Sequence, residues 1–375
     1  MLFRDIVGQD AVKRQLRLSV RQGRIPHACM LVGKSGVGKL QLALAVAQYL
    51  ACEHRTEEDS CGCCPSCLQY ARLEHPDLHF VFPIVKGDAG DVCDDFVEQF
   101  RQLLLAEHYF DLDDWYRTMG VETKQGMIYE KESGEITRKL SLKSFSGGYK
   151  VMIIWQPEKM NIVCANKLLK LLEEPPERTL FLLVSEHPEQ LLPTIISRVQ
   201  QIRVPALSEQ ELATQFSPDI AHIAQGSYLS AKRLSEQADV SSQYLEYFIQ
   251  LMRDAYTISR IDNAARKYES LQRLRKWSQD IADQKVGREQ QKAFLQYASS
   301  QVRENFIANF QQPQLNYQTT EEQQFTTRFS PYINEGNVYQ ILEQLELAER
   351  QIAQNGNAKI IFFDLCLQMI VLVKK

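Results

Sequence analysis

Between an apolar run of strand length, Ala28–Val32, and an amphipathic helical stretch, Leu40–Ala51, the chain carries Gly33-Lys34-Ser35-Gly36-Val37-Gly38-Lys39-Leu40. The octapeptide matches G-x-x-x-x-G-K, and a strand before it with a helix after it is the context that gives this spacing a physical meaning. Successive backbone N–H groups at a helix N-terminus can cradle phosphate, with a lysine as an added point charge. Gly33, Gly36, Gly38 and Lys39 are therefore candidate nucleotide-binding residues. The plain alternative is a surface turn that favours glycine. The eighth position departs from the motif, because Leu40 stands where a Ser or Thr hydroxyl would hold Mg²⁺.

A second departure points the same way. In ATPases built on such a turn another strand ends in carboxylates that bind the metal and polarise water. Here the apolar run Val151-Met152-Ile153-Ile154 leads into Trp155-Gln156-Pro157-Glu158. An indole and an amide take the two acidic positions, and Glu158 lies too far along to replace either. Phosphate binding and hydrolysis become separate questions; ATP binding stays open, and no intrinsic ATPase activity is expected.

The surrounding pattern sets the fold class. Asp10–Arg21 has helical spacing, Leu180–Ser185 has strand length, and Ile162–Glu174 is helical up to Pro175-Pro176. Strands alternating with helices imply an α/β chain with a parallel sheet. From Gly226 onward apolar residues recur at three and four, as in Tyr244, Tyr247, Phe248, Leu251 and Met252, so the C-terminal third is expected to be all helical. Its aromatics, Phe306 and Phe310 included, are expected in the core. Arg260, Arg266, Lys267, Arg273, Arg275 and Lys276 have acids interleaved and read as a solvated face. Residues 86–134, acidic at Asp88, Asp91, Asp94 and Asp95 and then aromatic without a clear period, read as an insertion. The 375 residues suffice for two or three domains. Lys plus Arg is 43 against 47 for Asp plus Glu, so no global basic field draws the chain to nucleic acid. The N-terminus lacks the apolar core of a secretory signal, and Ile360–Val373, interrupted by Asp364 and Gln368, reads as a buried helix and not a membrane span. A cytoplasmic location is expected.

Five of nine cysteines fall between Cys52 and Cys67. Cys52, Cys61, Cys64 and Cys67 have the spacing C-x₈-C-x₂-C-x₂-C, whose short steps let two thiolates reach one tetrahedral ion. A structural zinc is expected, closed to catalysis by its four sulfur ligands. Using Cys63 would change both short spacings, so it is placed outside the shell; His54 and His75 are the runner-up ligands.

Further residues then fall into place. Phe3-Arg4-Asp5-Ile6-Val7-Gly8-Gln9, Arg24-Ile25-Pro26-His27-Ala28, the glycine turn, Asn166-Lys167-Leu168-Leu169-Lys170-Leu171-Leu172-Glu173-Glu174-Pro175-Pro176 and Ser197-Arg198 occur in this order. Together they resemble the clamp-loader branch of the AAA+ family, and within it the subunits that have lost ATPase machinery and stand beside active ones. The resemblance covers most of the first ~240 residues, the usual extent of one or two domains. It implies an AAA+ P-loop-type domain over 1–206 with a zinc module at 52–67, a small helical lid over 207–240, and an all-α collar over 241–375. It supports the same four cysteines as zinc ligands. It implies that Arg198 acts as an arginine finger on ATP bound by a neighbouring subunit. The implied partners are the gamma/tau and delta clamp-loader subunits, the sliding clamp and primed DNA, with no membrane. Two positions depart from the pattern: Val199 follows Ser197-Arg198 where the family has cysteine, and Leu229 replaces a second sensing arginine. The other readings are an active gamma-type clamp-loader ATPase and a zinc-stabilised nucleic-acid-binding module. Leu40, Trp155 and Gln156 disfavour the first, and the scarcity of Lys and Arg around Cys61–Cys67 the second.

Overall fold

The computed structural model describes residues 1–374 apart from 88–89, 122–125, 237, 261, 283–286, 313–314 and 355, so Asp88 lies outside the described residues. The chain forms two compact units, Met1–Lys232 and Arg233–Lys375.

The first unit is built on five parallel strands in the order β2-β3-β4-β1-β5, namely β1 (Ala28–Val32), β2 (Leu78–Val81), β3 (Lys150–Trp155), β4 (Thr179–Ser185) and β5 (Gln200–Arg203). The three central strands are almost uniformly apolar and buried, as expected where helices cover both faces of a parallel sheet. Helix α1 (Asp10–Arg21) keeps one apolar stripe, Val12, Leu16 and Val20, toward the core. Helix α2 (Lys39–Ala51) differs from the expected amphipathic helix. It is buried from Lys39 to Tyr49, because the sheet, α1 and α3 (Pro65–Ala71) all pack on it. Between β4 and β5 lie a 3₁₀ turn, Pro188–Gln190, and the single-turn α8 (Pro193–Ile196), with Leu192 held extended between them by Pro193.

Residues 86–134 carry more order than their pattern suggests. A 3₁₀ turn (Cys93–Phe96) leads into α4 (Val97–Glu107) and α5 (Leu112–Thr118), and α6 (Glu130–Ser141) returns the chain to β3. A backbone bridge between Ile84 and Met127 closes the excursion. Phe100 stacks on Phe82 at 4.1 Å and meets Trp115 edge-on at 5.3 Å, so the segment is anchored in the sheet's own core. Helix α7 (Ile162–Glu173) begins at Asn161, whose side chain accepts the N–H groups of Val163 and Cys164. Three further helices, α9 (Glu209–Leu212), α10 (Pro218–Ile223) and α11 (Tyr228–Glu236), follow β5. Gln9 ties α9 back to the N-terminal segment: its N–H donates to Glu211 and its side-chain amide to the Pro205 carbonyl.

The regular elements described in the second unit are all helices: α12 (Ala238–Arg260), α13 (Ala264–Ile281), α14 (Arg288–Ala308), α15 (Thr320–Phe329), α16 (Val338–Ala353) and α17 (Ala358–Leu372), with a 3₁₀ turn at Ser330–Tyr332. Phe248, Trp277, Phe294, Ile341, Phe362 and Met369 share its separate core. Two expectations need correction here. Helix α17 is buried on one face only, with Ile360, Leu367 and Val371 exposed on the other. Phe310 is exposed, because it lies beyond the end of α14. Arg273 stays exposed as expected, and its guanidinium forks onto the buried carboxylate of Asp254. Among the described residues no helix is long and apolar enough to cross a membrane.

Candidate functional site

The glycine turn leaves β1 at the carboxyl edge of the sheet, where open parallel sheets bind ligands. Gly36 and Gly38 have φ of +73° and +94°, a conformation that side chains resist. Their space is also occupied. A Cβ on Gly36 would lie 2.3 Å from Ser227 Oγ and 2.7 Å from Leu229 Cβ, and the Tyr228 N–H donates to the Gly36 carbonyl at 2.9 Å. Leu229, which replaces the sensing arginine of the resemblance, thus packs directly on the turn. Gly33 is required differently, because a Cβ there would meet the Val204 carbonyl at 2.4 Å.

Lys39 is buried and already engaged. Its ammonium donates to the Lys34 carbonyl and lies 3.5 Å from Glu186. Burial lowers its pKa, and Glu186 opposes the shift. Glu186 sits on a loop braced by Glu158, which accepts the Ser185 hydroxyl at 3.0 Å and the N–H groups of Glu186 and His187 at 2.9 and 3.0 Å. Glu158 therefore shapes the site and does not stand in for the missing acids. The Ser35 hydroxyl is buried in the turn without a hydrogen-bond partner, an orphan that a bound phosphate would satisfy. Leu40 is buried and offers no oxygen. Trp155 is buried against Phe110 and Phe100 at 5.2 and 5.7 Å, so an aromatic cluster fills the carboxylate position. Gln156 is buried with φ of +56°.

Two contributors lie outside the motif and carry no periodic signal. One is Glu186. The other is the end of α4, where the Gln41 side chain donates to the His108 carbonyl, Glu107 pairs with Lys232, and Tyr109 stacks on Tyr228 at 4.2 Å.

The four cysteines are brought together by three local devices. Cys52 caps the C-terminal end of α2, Gly62 turns the chain with φ of +76°, and Cys64 is the N-cap of α3 with Cys67 in its first turn. Their sulfurs lie within 4.8 Å of one another, and N–H groups of Cys61 and Cys64 point at the sulfurs of Cys52 and Cys61, each at 3.3 Å. This donor set suits one tetrahedral soft-metal ion. The backbone N–H groups of Cys63 and Cys64 pull the Cys61 thiol down to about 6, favouring the thiolate that a metal requires. Cys63 is exposed and stands outside the group. His75 packs against Tyr70 with its ring tilted by 31° and accepts the Asp77 N–H, outside the group of four sulfurs.

Arg198 follows α8 at the surface. Its Nε donates to Glu173 at 2.8 Å and a terminal nitrogen to the Thr194 carbonyl at 2.9 Å, so the guanidinium is held at the C-terminal end of α7. It lies on a different element from the glycine turn.

Comparison with known proteins matches these elements. The family model described as DNA polymerase III, delta subunit, matches residues 8–208. The delta' subunit of DNA polymerase III from Pseudomonas aeruginosa is 31% identical over 222 residues, covering 56% of each chain. That from Escherichia coli is 29% identical over 221 residues, covering 59% of this chain and 54% of the relative. The tau/gamma subunit from Haemophilus influenzae is 27% identical over 281 residues, covering 68% of this chain and 34% of the relative. The chain thus spans a third to about half of these relatives. With the five-stranded sheet, the glycine turn and the matched segment in agreement, the chain belongs to the DNA polymerase III delta-subunit family of clamp-loader AAA+ proteins.

Proposed function

We propose that this chain is a non-hydrolysing, delta-prime-type clamp-loader subunit that helps load the sliding clamp onto primed DNA. The observation that carries the reading is the filled carboxylate position: Trp155 and Gln156 are buried where metal-binding acids belong, and Leu40 withholds the remaining ligand. Arg198 then serves a neighbour's ATP, with Glu173 as its positioning residue. In this reading 1–206 is the nucleotide-fold domain, 207–240 the lid and 241–375 the collar, the partners are gamma/tau and delta subunits, and the location is cytoplasmic. Cys52, Cys61, Cys64 and Cys67 would hold a structural zinc, which contributes folding energy and no catalysis. ATP, if bound, would meet Gly33, Gly36, Gly38, Lys39 and the Ser35 hydroxyl.

A gamma/tau-type reading has one observation in its favour, the similarity to the Haemophilus influenzae tau/gamma subunit. ATP turnover by the purified chain decides between them. The proposal expects none with Mg²⁺ present, and co-purification with gamma/tau and delta subunits. Turnover at the rate of an ordinary clamp-loader ATPase would establish the other reading.

A further inference from the structure

We infer that Glu107-His108-Tyr109 is an internal latch that takes the place of nucleotide, holding Ser227–Lys232 closed on the glycine turn. The inference rests on the reading of the turn as a nucleotide site without hydrolysis.

Three contacts from one short segment converge there. The His108 carbonyl is fixed by the Gln41 amide on the first turns of α2, Glu107 pairs with Lys232, and the Tyr109 ring lies on Tyr228 at 4.2 Å and 30°. Tyr109 is 8% exposed, and its hydroxyl lies 3.5 Å from where a Cβ on Gly38 would stand. The residues it braces close the turn from above, with Tyr228 N–H on the Gly36 carbonyl and Ser227 and Leu229 over Gly36. An aromatic ring and a carboxylate thus supply what a nucleotide would bring to such a site: Tyr109 provides a flat stacking surface, and Glu186 provides a negative charge beside Lys39. The segment belongs to the excursion closed by Ile84 and Met127, so a part of the chain outside the turn and the lid does the holding. Nucleotide enters only when Tyr109 leaves, and its apparent affinity is reduced by the fraction of time the latch is shut.

The test is titration of the full chain with fluorescently labelled ATP, alongside hydrogen exchange at the Tyr228 amide. Tyr109→Ala should raise affinity roughly two- to tenfold, the range expected for losing one aromatic pair. Glu107→Gln, a change at a half-exposed side chain that leaves the core intact, should raise it less. Both should speed exchange of the Tyr228 amide, and adding Lys39→Ala to Tyr109→Ala should remove the gained binding. Folded variants that bind no more tightly than the parent, or binding that survives Lys39→Ala, would overturn the latch. Equal, tight binding by parent and variants without turnover would sink the latch alone, whereas turnover by the parent would sink the function proposed above.

Discussion

Trp155 shows how one residue decides between chemistries. The indole is locked among Phe100 and Phe110, so Trp155→Ala should cost about 3–5 kcal/mol in denaturant unfolding. Trp155→Asp supplies the acid that an ATPase would carry, yet it buries an unpaired carboxylate among rings. It should lower stability and produce no ATP turnover; a stable, hydrolysing Trp155→Asp would contradict the filled-site reading. His79 on β2 gives a second residue-scale prediction. Burial, with Lys139 nearby, pushes its pKa down to about 4. The unfolded chain binds the proton more readily, so stability is fully present above pH ~6.5 and falls as pH drops toward 4, by on the order of 1–3 kcal/mol. His79→Gln should flatten that part of a pH-dependent urea-melt series, and an unchanged profile would contradict the assignment. At this scale the sequence was informative where identity mattered, as at Leu40 and Trp155. It was silent on Glu186 and Tyr109, because their importance comes from what the fold places beside them.

At the scale of elements, legibility followed periodicity and punctuation. Asp10–Arg21 and Ala28–Val32 could be read to the residue, because a polar first turn and flanking Gly, Pro and His mark their limits. Ile162–Glu174, stopped by Pro175-Pro176, overran the observed helix by one residue, because the chain leaves the helix at Glu174. Strand β2 was missed because His79 and the following Pro83 interrupt a four-residue run. Helices α4 and α5 were missed because two short helices joined by a turn never build one continuous period. The cysteine module was readable because its spacing is local. Purified, reduced protein should carry about one zinc per chain, with metal binding worth on the order of 10 kcal/mol to the local fold. Cys63→Ser should keep the metal and Cys64→Ser should lose it, both read by metal analysis. A folded protein without stoichiometric metal would contradict the module.

For the molecule as a whole, the two units carry separate cores. The helical unit buries its own Trp and Phe cluster, so a fragment of residues 233–375 should keep a helical circular-dichroism spectrum and a cooperative melt; a spectrum of unfolded chain would refute that independence. In the proposed reading function belongs to the assembly, because Arg198 lies at the surface while the chain's own glycine turn lacks metal ligands. Arginine fingers supplied by a partner contribute roughly 10³–10⁵ in rate in other phosphoryl-transfer systems, and a ring with several active sites would lose the share of one. The direct measurement is DNA- and clamp-stimulated ATPase of the complex reconstituted with gamma/tau and delta subunits and Arg198→Ala in this chain, with assembly verified by gel filtration. An intact complex that has lost part of its ATPase is the predicted result, and an intact complex with unchanged hydrolysis would contradict the role of Arg198 and leave it as the partner of Glu173.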